Sequence, residues 1–302
     1  MSVTPQQAVD AANEAYGRHP GRRALHAKGI LLKGTFTATP QAAALTRAAH
    51  MQGEPVPATV RMSNGAGDPN RPDYLPDVRG LAVKLELPDG SQTDIVAQTL
   101  PRFPFRTPGG FVEFLRAQAP GAAMAVRLPL YLLRHPGMLG PLQANMPALR
   151  PPASYATCPY YAIHAFRFVD ANGGSRYIRY TWIPEAGDTR LSGREAKSRG
   201  RDYLLEEIRE RLASGSVRFT LELQIAGPGD DVDNAASVWP ASRERIRAGT
   251  LEISESSPGD DATTVIVFDP VRVTDGIELS ADPVLNFRPR AYSESVSRRT
   301  AG

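Results

Sequence analysis

The sequence predicts an α+β fold in which about eight antiparallel strands close into a barrel surrounded by helices. Two segments have the pattern of β-hairpins: GLAVKLELPDGSQTDIVAQTLP turns at Asp89-Gly90, and AIHAFRFVDANGGSRYIRYTWIP turns at Asn172-Gly173-Gly174. Strand patterns number about six to eight along the chain, which is enough for a closed antiparallel barrel. The sequence shows no long β-α-β alternation and no glycine-rich phosphate loop, so a parallel nucleotide-binding sheet is disfavoured.

The helices are predicted mainly from the signals at their ends. TPQQAVDAANEAYG is typical of an amphipathic helix, with Thr4 as N-cap, Pro5 in the first position and Gly17 as the stop. TPGGFVEFLRAQ predicts a second helix start, and PLYLLRHPGMLGPLQANMPALRPP predicts helix interrupted by proline. REAKSRGRDYLLEEIRERLASG predicts one charged helix, and DPVLNFRPRAYSESVSRRTAG predicts a loop followed by a helix.

Further strands are predicted from alternating or β-branched runs. They are ALHAKGILLKGTFTATP, PATVRMSNG, VRFTLELQIAG and TTVIVFDPVRV. The first of these predictions places His26 within a strand. We expect a single domain over residues 1–302, with an N-terminal helix in 1–19, the barrel and inserted helices in 20–280, and a last helix in 281–302.

Composition limits the classes of function. The formal net charge is +3 and Cys158 is the one cysteine, so a disulfide framework and a cysteine metal cluster are excluded and a cytoplasmic location is expected. Lysine and arginine are dispersed, which disfavours nucleic-acid binding. The most apolar segment, AAMAVRLPLYLL, is interrupted by Arg127 and Pro129 and is too short to span a bilayer, so we expect no stable membrane insertion. We interpret it as a buried or groove-lining helix.

Five separated stretches of the sequence carry candidate functional side chains: histidine, serine, amide, arginine and tyrosine. They are RRALHAKG, VRMSNGAGDPNRPDYLPDVRGLAVKLELPDG, TDIVAQTLPRFPFRTPGGF, YYAIHAFRFV and FRPRAYSESVSRR. Together they resemble the haem catalase superfamily, from about residue 20 to the C-terminus. Because the chain stops soon after the tyrosine segment and lacks a long N-terminal arm, it resembles the small catalase-related peroxidases more than full-length catalases. The resemblance implies a catalase-like barrel without the C-terminal helical domain, and haem b as cofactor.

The resemblance assigns the peroxide side of the haem. His26 matches the histidine that takes a proton from one peroxide oxygen and returns it to the other, a task suited to a neutral imidazole near pH 7. Ser63 matches the serine that orients this histidine. Gln98 stands where catalases have the asparagine that holds the peroxide, or alternatively Thr99 faces the site. Leu25 stands where related allene oxide synthases have threonine, which argues against that isomerase activity.

The resemblance also assigns the opposite side of the haem and its rim. Tyr292 matches the axial ligand of the iron, and Arg288 lies one helical turn earlier, where its guanidinium would favour the charged phenolate. Three further arginines match those that pair with haem propionates in the family: Arg23, Arg61 and Arg299. Phe111 matches a phenylalanine packed on the haem face, with ordinary core packing an equal alternative.

These expectations define a haem peroxidase of the cytoplasm that takes part in the response to oxidative stress. It would reduce hydrogen peroxide or organic hydroperoxides with a small organic electron donor. Alternatives are a true catalase, a haem-binding or sensing protein without turnover, and a catalase-like barrel that binds no haem. We expect a monomer or a homodimer rather than the interlocked tetramer of larger catalases.

Overall fold

A computed structural model describes residues 3–257 and 265–300 of the chain. Within them the strands are β1 (Gly29–Ala38), β2 (Val56–Asn64), β3 (Arg79–Glu86), β4 (Gln92–Gln98), β5 (Tyr160–Tyr161), β6 (Phe166–Val169), β7 (Ser175–Pro184), β8 (Val217–Ile225), β9 (Arg245–Ser256) and β10 (Ile277–Leu279). The helices are α1 (Pro5–Tyr16), α2 (Pro40–Ala43), α3 (Pro108–Ala117), α4 (Met124–Arg134), α5 (Leu139–Leu149), α6 (Gly193–Ser198), α7 (Tyr203–Ser214) and α8 (Pro283–Thr300).

Eight of the strands form a closed antiparallel barrel. Their order is β7-β5-β4-β3-β2-β1-β9-β8, and β8 pairs again with β7 to complete the ring. The two remaining strands, β6 and β10, extend from β7 outside the ring. The prediction of a closed antiparallel barrel of about eight strands with surrounding helices is therefore confirmed.

The interior of the barrel is filled with large side chains. Phe36 and Trp182 are fully buried there, and their rings meet edge to face with centroids 5.9 Å apart. Packing is close enough that a Cβ atom on Gly249 would lie 2.5 Å from the Phe36 ring, so only glycine fits beside it. Because the interior is filled, a bound group has to lie outside it.

Local sequence signals predicted several elements correctly. Helix α1 begins with a capping box in which the Thr4 hydroxyl accepts from the Gln7 backbone and the Gln7 side chain accepts from Thr4, with Pro5 in the first turn. Both hairpins are present, and their turns contain Gly90 and Gly173 with positive φ. No helix among the described residues is both long and apolar enough to cross a membrane.

Two boundary predictions were wrong, and the structure gives the start of the last helix. Strand β1 begins at Gly29, so His26 precedes the strand instead of lying in it. The segment REAKSRGRDYLLEEIRERLASG, predicted as one charged helix, forms two helices, α6 and α7. The chain turns between them at Gly200, which has a φ of +106°. Helix α8 begins at Pro283, within the range 281–302 expected for the last helix, and Asp282 accepts from the backbone of its first turn.

Two strand predictions were also wrong. Strand β9 was missed, because its sequence is rich in charge and its pairing with β1 and β8 is long-range. TTVIVFDPVRV begins at residues 263–264, outside the described residues, and its remainder over 265–273 forms no strand. The chain turns at Pro270, and one backbone hydrogen bond then connects it to β4: Asp94 N donates to Arg272 O at 3.0 Å.

The apolar segment before residue 135 is not a buried helix. In α4 only Tyr131 is buried, whereas Val126, Leu130 and Leu133 are exposed. Tyr131 packs in a cluster with Phe105, and Leu128 and Leu132 contact that cluster, so the helix has one packed side and one exposed apolar side. The interpretation as a buried or groove-lining helix is corrected accordingly.

Candidate active site

One end of the barrel aligns several of the predicted site residues in a single row. Across neighbouring strands, Gly29 pairs with Ser63, Ser63 with Gly80, and Gly80 with Gln98. His26 lies three residues before Gly29, so it reaches the same rim. Residues from four strands and the segment before β1 therefore converge although they are far apart in sequence.

His26 is fixed in an unusual backbone conformation by three contacts. Its φ is +56°, in the left-handed region that non-glycine residues rarely adopt. Its N–H donates to Gly65 O at 3.0 Å, and its carbonyl accepts from the Arg61 guanidinium at 2.8 Å. The ring Nδ1 lies 3.0 Å from Ser63 Oγ. Backbone and ring are thus held independently, which leaves the imidazole little freedom.

Gly80 provides the space that the His26 ring occupies. A Cβ atom at this position would lie 2.8 Å from Ser63 Oγ and 2.9 Å from both Cε1 and Nδ1 of His26. These distances are well inside van der Waals contact. The imidazole therefore packs directly against the bare backbone of β3.

The electrostatic environment keeps His26 neutral. Burial lowers the pKa of His26 to about 3, and the positive charges of Arg61, Arg288 and Arg23 act in the same direction. At neutral pH the ring is then an unprotonated base with one N–H and one lone pair. The shift also shows that Arg288, from the other end of the chain, lies within electrostatic range of His26.

Helix α8 carries the second half of the site. Arg288 Nε donates to Tyr292 Oη at 2.7 Å, across one helical turn. Ser295 lies one turn further on, and its hydroxyl accepts from Ala24 N at 3.4 Å. This contact joins α8, which carries Tyr292, to the segment that leads into His26.

A buried pair that the sequence reasoning did not assign orients Arg288. His164 Nδ1 lies 2.8 Å from Asp282 Oδ2, and Arg288 NH1 lies 3.1 Å from His164 Nε2. Burial lowers the pKa of His164 to about 4. The neutral ring therefore donates from Nδ1 to the carboxylate and accepts from Arg288 at Nε2. Burial acts to raise the pKa of Asp282, but the bond to His164 and the helix N–H groups outweigh it, and the pKa is lowered.

These contacts form a continuous chain from Asp282 through His164 and Arg288 to Tyr292. The segment YYAIHAFRFV carries part of the family resemblance, but its sequence alone assigns no role to His164. Its partner lies 118 residues away, and no spacing signal connects the two.

Of the other predicted cofactor residues, Arg23 and Arg61 lie within electrostatic range of His26. Arg23 donates to Ile266 O at 2.8 Å, and Arg61 is 4% exposed. Arg299 follows Tyr292 by seven residues on α8, which places both on the same side of the helix. Phe111 packs in the cluster that contains Ala24 and Leu25, and its ring centroid lies 5.2 Å from that of Phe105.

The predicted amide is turned toward its own backbone. Gln98 Nε2 donates to Leu100 O at 2.7 Å, and Leu100 N donates to Gln98 Oε1 at 2.5 Å. Thr99 is fully buried, and its hydroxyl accepts from Arg79 N at 3.1 Å. Both side chains therefore already have backbone partners.

A buried polar cluster supports the end of β2 behind Ser63. Asn64 Nδ2 donates to Asp73 Oδ1 at 2.7 Å, and Tyr155 Oη donates to Asn64 Oδ1 at 2.8 Å. Lys28 Nζ lies 2.5 Å from Asp73 Oδ1. Because all four groups have charged or hydrogen-bonded partners, the cluster rigidifies the backbone on which Ser63 and His26 are mounted.

Comparison with known proteins decides the family. A family model described as Catalase matches residues 11–302. The chain belongs to the catalase family. It is 47% identical over 302 residues to a catalase-related peroxidase of Mycolicibacterium paratuberculosis, covering 99% of this chain and 95% of the relative. It is 31% identical to a catalase-related peroxidase of Synechococcus elongatus, covering 99% and 90%. The chain is thus a member of the small catalase-related peroxidase subgroup.

Solved catalase structures share the fold. The chain superimposes on a fungal catalase with a TM-score of 0.83 and 23% identity, covering 94% of this chain and 61% of that one. Catalase A of Saccharomyces cerevisiae gives a TM-score of 0.82 at 23% identity, with 93% and 62% covered. The catalase-family protein described here therefore spans less than two thirds of these structures, and the likeness to them concerns the fold.

Proposed function

We propose that this catalase-family chain is a haem b peroxidase that reduces hydrogen peroxide or organic hydroperoxides with electrons from a small organic donor. One observation carries the proposal: a phenol bonded to a guanidinium lies on the helix that contacts the segment leading into a neutral imidazole bonded to a hydroxyl. The first pair is Tyr292 and Arg288 at 2.7 Å, and the second is His26 and Ser63 at 3.0 Å. The names of the two relatives above support peroxidase chemistry.

The residues around His26 fit an iron porphyrin with two carboxylates. The charged groups that depress the pKa of His26 are all arginines, namely Arg61, Arg288 and Arg23, which is an environment suited to an anionic cofactor. We assign Arg23, Arg61 and Arg299 to the propionates and Phe111 to the ring face. Tyr292 would hold the iron through its phenolate oxygen, which Arg288 stabilises. Bound haem supplies the metal centre at which the peroxide O–O bond is cleaved.

His26 performs the proton transfer in this proposal. The tautomer that donates from Nδ1 to Ser63 Oγ leaves the Nε2 lone pair to accept a proton from the peroxide. The same nitrogen then returns the proton to the departing oxygen, which leaves as water or as an alcohol. Because the pKa of His26 is about 3, the imidazole is unprotonated at neutral pH and its Nε2 carries a lone pair.

The conformation of Gln98 favours a peroxidase over a true catalase. The amide nitrogen and the amide oxygen of Gln98 both form hydrogen bonds with the Leu100 backbone, so the amide is not turned toward a bound peroxide. A catalase oxidises a second hydrogen peroxide, which requires that small molecule to be held in place. Without an amide that binds hydrogen peroxide, a larger hydroperoxide and an organic reductant become the favoured substrates. We extend the proposal to a cytoplasmic protein that works as a monomer or a homodimer during oxidative stress.

The first test is the visible absorption spectrum of the haem-loaded protein beside its Tyr292→Phe variant. We expect stoichiometric haem uptake and a ferric high-spin, tyrosinate-type spectrum that is lost or altered in the variant. Tyr177→Phe, on β7, is the matched control and should leave the spectrum unchanged. No stoichiometric uptake, or a spectrum indifferent to Tyr292, would contradict the proposed ligand.

A second test separates turnover from haem binding. His26→Ala should keep the haem spectrum but reduce the rate of reaction with peroxide by at least about 100-fold, the scale of lost general acid–base catalysis. An unchanged rate would indicate a haem-binding or sensing protein. An oxygen electrode distinguishes the remaining alternative, because a true catalase releases oxygen from hydrogen peroxide without any organic donor.

A further inference from the structure

Helices α4 and α5 each present an exposed apolar stripe that the proposed peroxidase chemistry does not use. In α4 the exposed fractions are 67% for Val126, 40% for Leu130 and 78% for Leu133. These positions are four and three residues apart, so they form one stripe along the helix. In α5, Leu139 and Met146 are 55% and 61% exposed and lie seven residues apart, which gives a second stripe. We call these five residues the α4–α5 face.

The opposite sides of both helices are anchored to the rest of the protein. The rings of Tyr131 and Phe114 have centroids 5.8 Å apart, and Tyr131 Oη donates to Gly110 O at 3.4 Å. Asn145 Nδ2 donates to Arg102 O at 2.7 Å. The orientation of the α4–α5 face is therefore fixed by packing.

The charged residues on α4 and at the end of α5 are all arginines, although Glu113 of α3, which is 61% exposed, lies 3.4 Å from His135 Nε2 just after α4. From residue 114 to residue 169 the sequence contains five arginines and no lysine, aspartate or glutamate. Arg127 and Arg134 are exposed and lie seven residues apart on α4, so they flank the apolar stripe on one side. Arg150 is exposed at the end of α5. Apolar side chains with arginines beside them are the pattern of helices that lie in the interface of an anionic bilayer.

We propose that the α4–α5 face docks this protein on the surface of an anionic lipid bilayer. Leu133, Leu139 and Val126 enter the boundary between headgroups and acyl chains, while Arg134 contacts lipid phosphates. Arg127, whose guanidinium donates to Ala119 O at 2.6 Å, adds positive charge beside them. Neither helix crosses the bilayer, since each has 11 residues. A second copy of the chain is a poorer occupant, because a two-fold contact through this face would bring the same arginines together across the interface.

The test is co-sedimentation of the full, haem-loaded chain with phospholipid vesicles. We expect binding to vesicles of phosphatidylglycerol and phosphatidylcholine, weak binding to phosphatidylcholine alone, and a decrease as salt is raised. Leu133→Asp should lower the partition coefficient at least about ten-fold, because it replaces a membrane-inserting side chain with a charge repelled by the lipid. Arg134→Gln should weaken binding and flatten its salt dependence.

Val238→Asp is the matched control, since Val238 is 56% exposed outside the α4–α5 face. It should bind vesicles like the unmodified chain. Leu133→Ser serves as a second variant in case the aspartate disturbs folding, which the haem spectrum and thermal transition report. Binding to anionic vesicles no stronger than to phosphatidylcholine would overturn the proposal. So would equal losses in Leu133→Asp and Val238→Asp, or a change from dimer to monomer in Leu133→Asp without any change in vesicle binding.

Discussion

Adding one methyl group at Gly80 should impair the chemistry of the site without removing any functional group. The new Cβ atom of Gly80→Ala would lie 2.8 Å from Ser63 Oγ and 2.9 Å from two atoms of the His26 ring. Ordinary contacts are about 3.5 to 4 Å, so the ring and hydroxyl would have to retreat by roughly 0.5 to 1 Å. Strand β3 itself is held on both sides, by Ser63 and by Gln98. The displacement therefore falls on the side chains.

A displacement of this size has a predictable kinetic effect. Misplacing a catalytic group by about 1 Å can lower the rate about 100-fold, or about 2.7 kcal/mol of transition-state stabilisation. We expect Gly80→Ala to lower the second-order rate constant for peroxide by roughly 10- to 100-fold. Haem uptake should change little, because Tyr292 and Arg288 lie on α8, away from the new methyl group.

Stopped-flow absorbance of the haem-loaded protein, mixed with hydrogen peroxide or an alkyl hydroperoxide, measures this rate constant. Gly193→Ala is the control, since Gly193 is exposed, has an ordinary φ and has no atom within 4 Å of its added Cβ. A rate constant for Gly80→Ala within two-fold of the unmodified protein would refute the idea that His26 and β3 are in rigid contact.

Three further predictions test the groups that hold the site. Ser63→Ala should lower the rate constant for reaction with peroxide about ten-fold, because it removes one hydrogen bond that orients His26. An unchanged rate constant in stopped-flow measurements would contradict this orienting role. His164→Leu should destabilise the protein by about 2 to 4 kcal/mol in denaturant unfolding, because it leaves Asp282 buried without its partner, whereas His164→Gln should recover part of the loss. Burial lowers the pKa values of His26, His50 and His164 to about 3, 4 and 4, so the unfolded chain binds protons near pH 6.5 while the folded chain does not. The free energy of unfolding should have its full value above pH 6.5 and fall toward pH 4 by up to about 4 kcal/mol per pH unit. His50→Leu removes one of the three buried histidines, so it should reduce that slope by about a third in unfolding curves measured across this range.

The sequence predicts those parts of the fold that depend on neighbouring residues. The cap of α1 and the turns of the two hairpins are set by residues within a few positions of one another, and the structure agrees with them. Strand β9 depends instead on partners more than 20 and 200 residues away, in β8 and β1, which no local pattern contains. Conversely, the β-branched run over 265–273 has strand propensity but no ladder partner, because Pro270 turns the chain.

The candidate site divides in the same way. The pair Arg288 and Tyr292 is separated by one helical turn, so its contact can be predicted from spacing. The pair His164 and Asp282 requires the strand extension and the start of α8 to meet, and only the fold shows this. Gln98 illustrates a third case, because its position could be predicted but the direction of its amide depends on the backbone of Leu100.

The backbone of His26 explains why this site needs so much support. A non-glycine residue at positive φ costs of order 1 to 3 kcal/mol, and such a conformation persists only where the surroundings fix it. Here Gly65 O, the Arg61 guanidinium and Ser63 Oγ fix it from three directions, while Gly80 leaves room for the ring. A histidine inside a regular strand would need none of these contacts, but its side chain would point perpendicular to the barrel wall. With the positive φ, the His26 ring packs on Gly80, and the segment that leads into it contacts α8 through Ser295. In the proposed site, this contact links the base to the helix that carries the phenol.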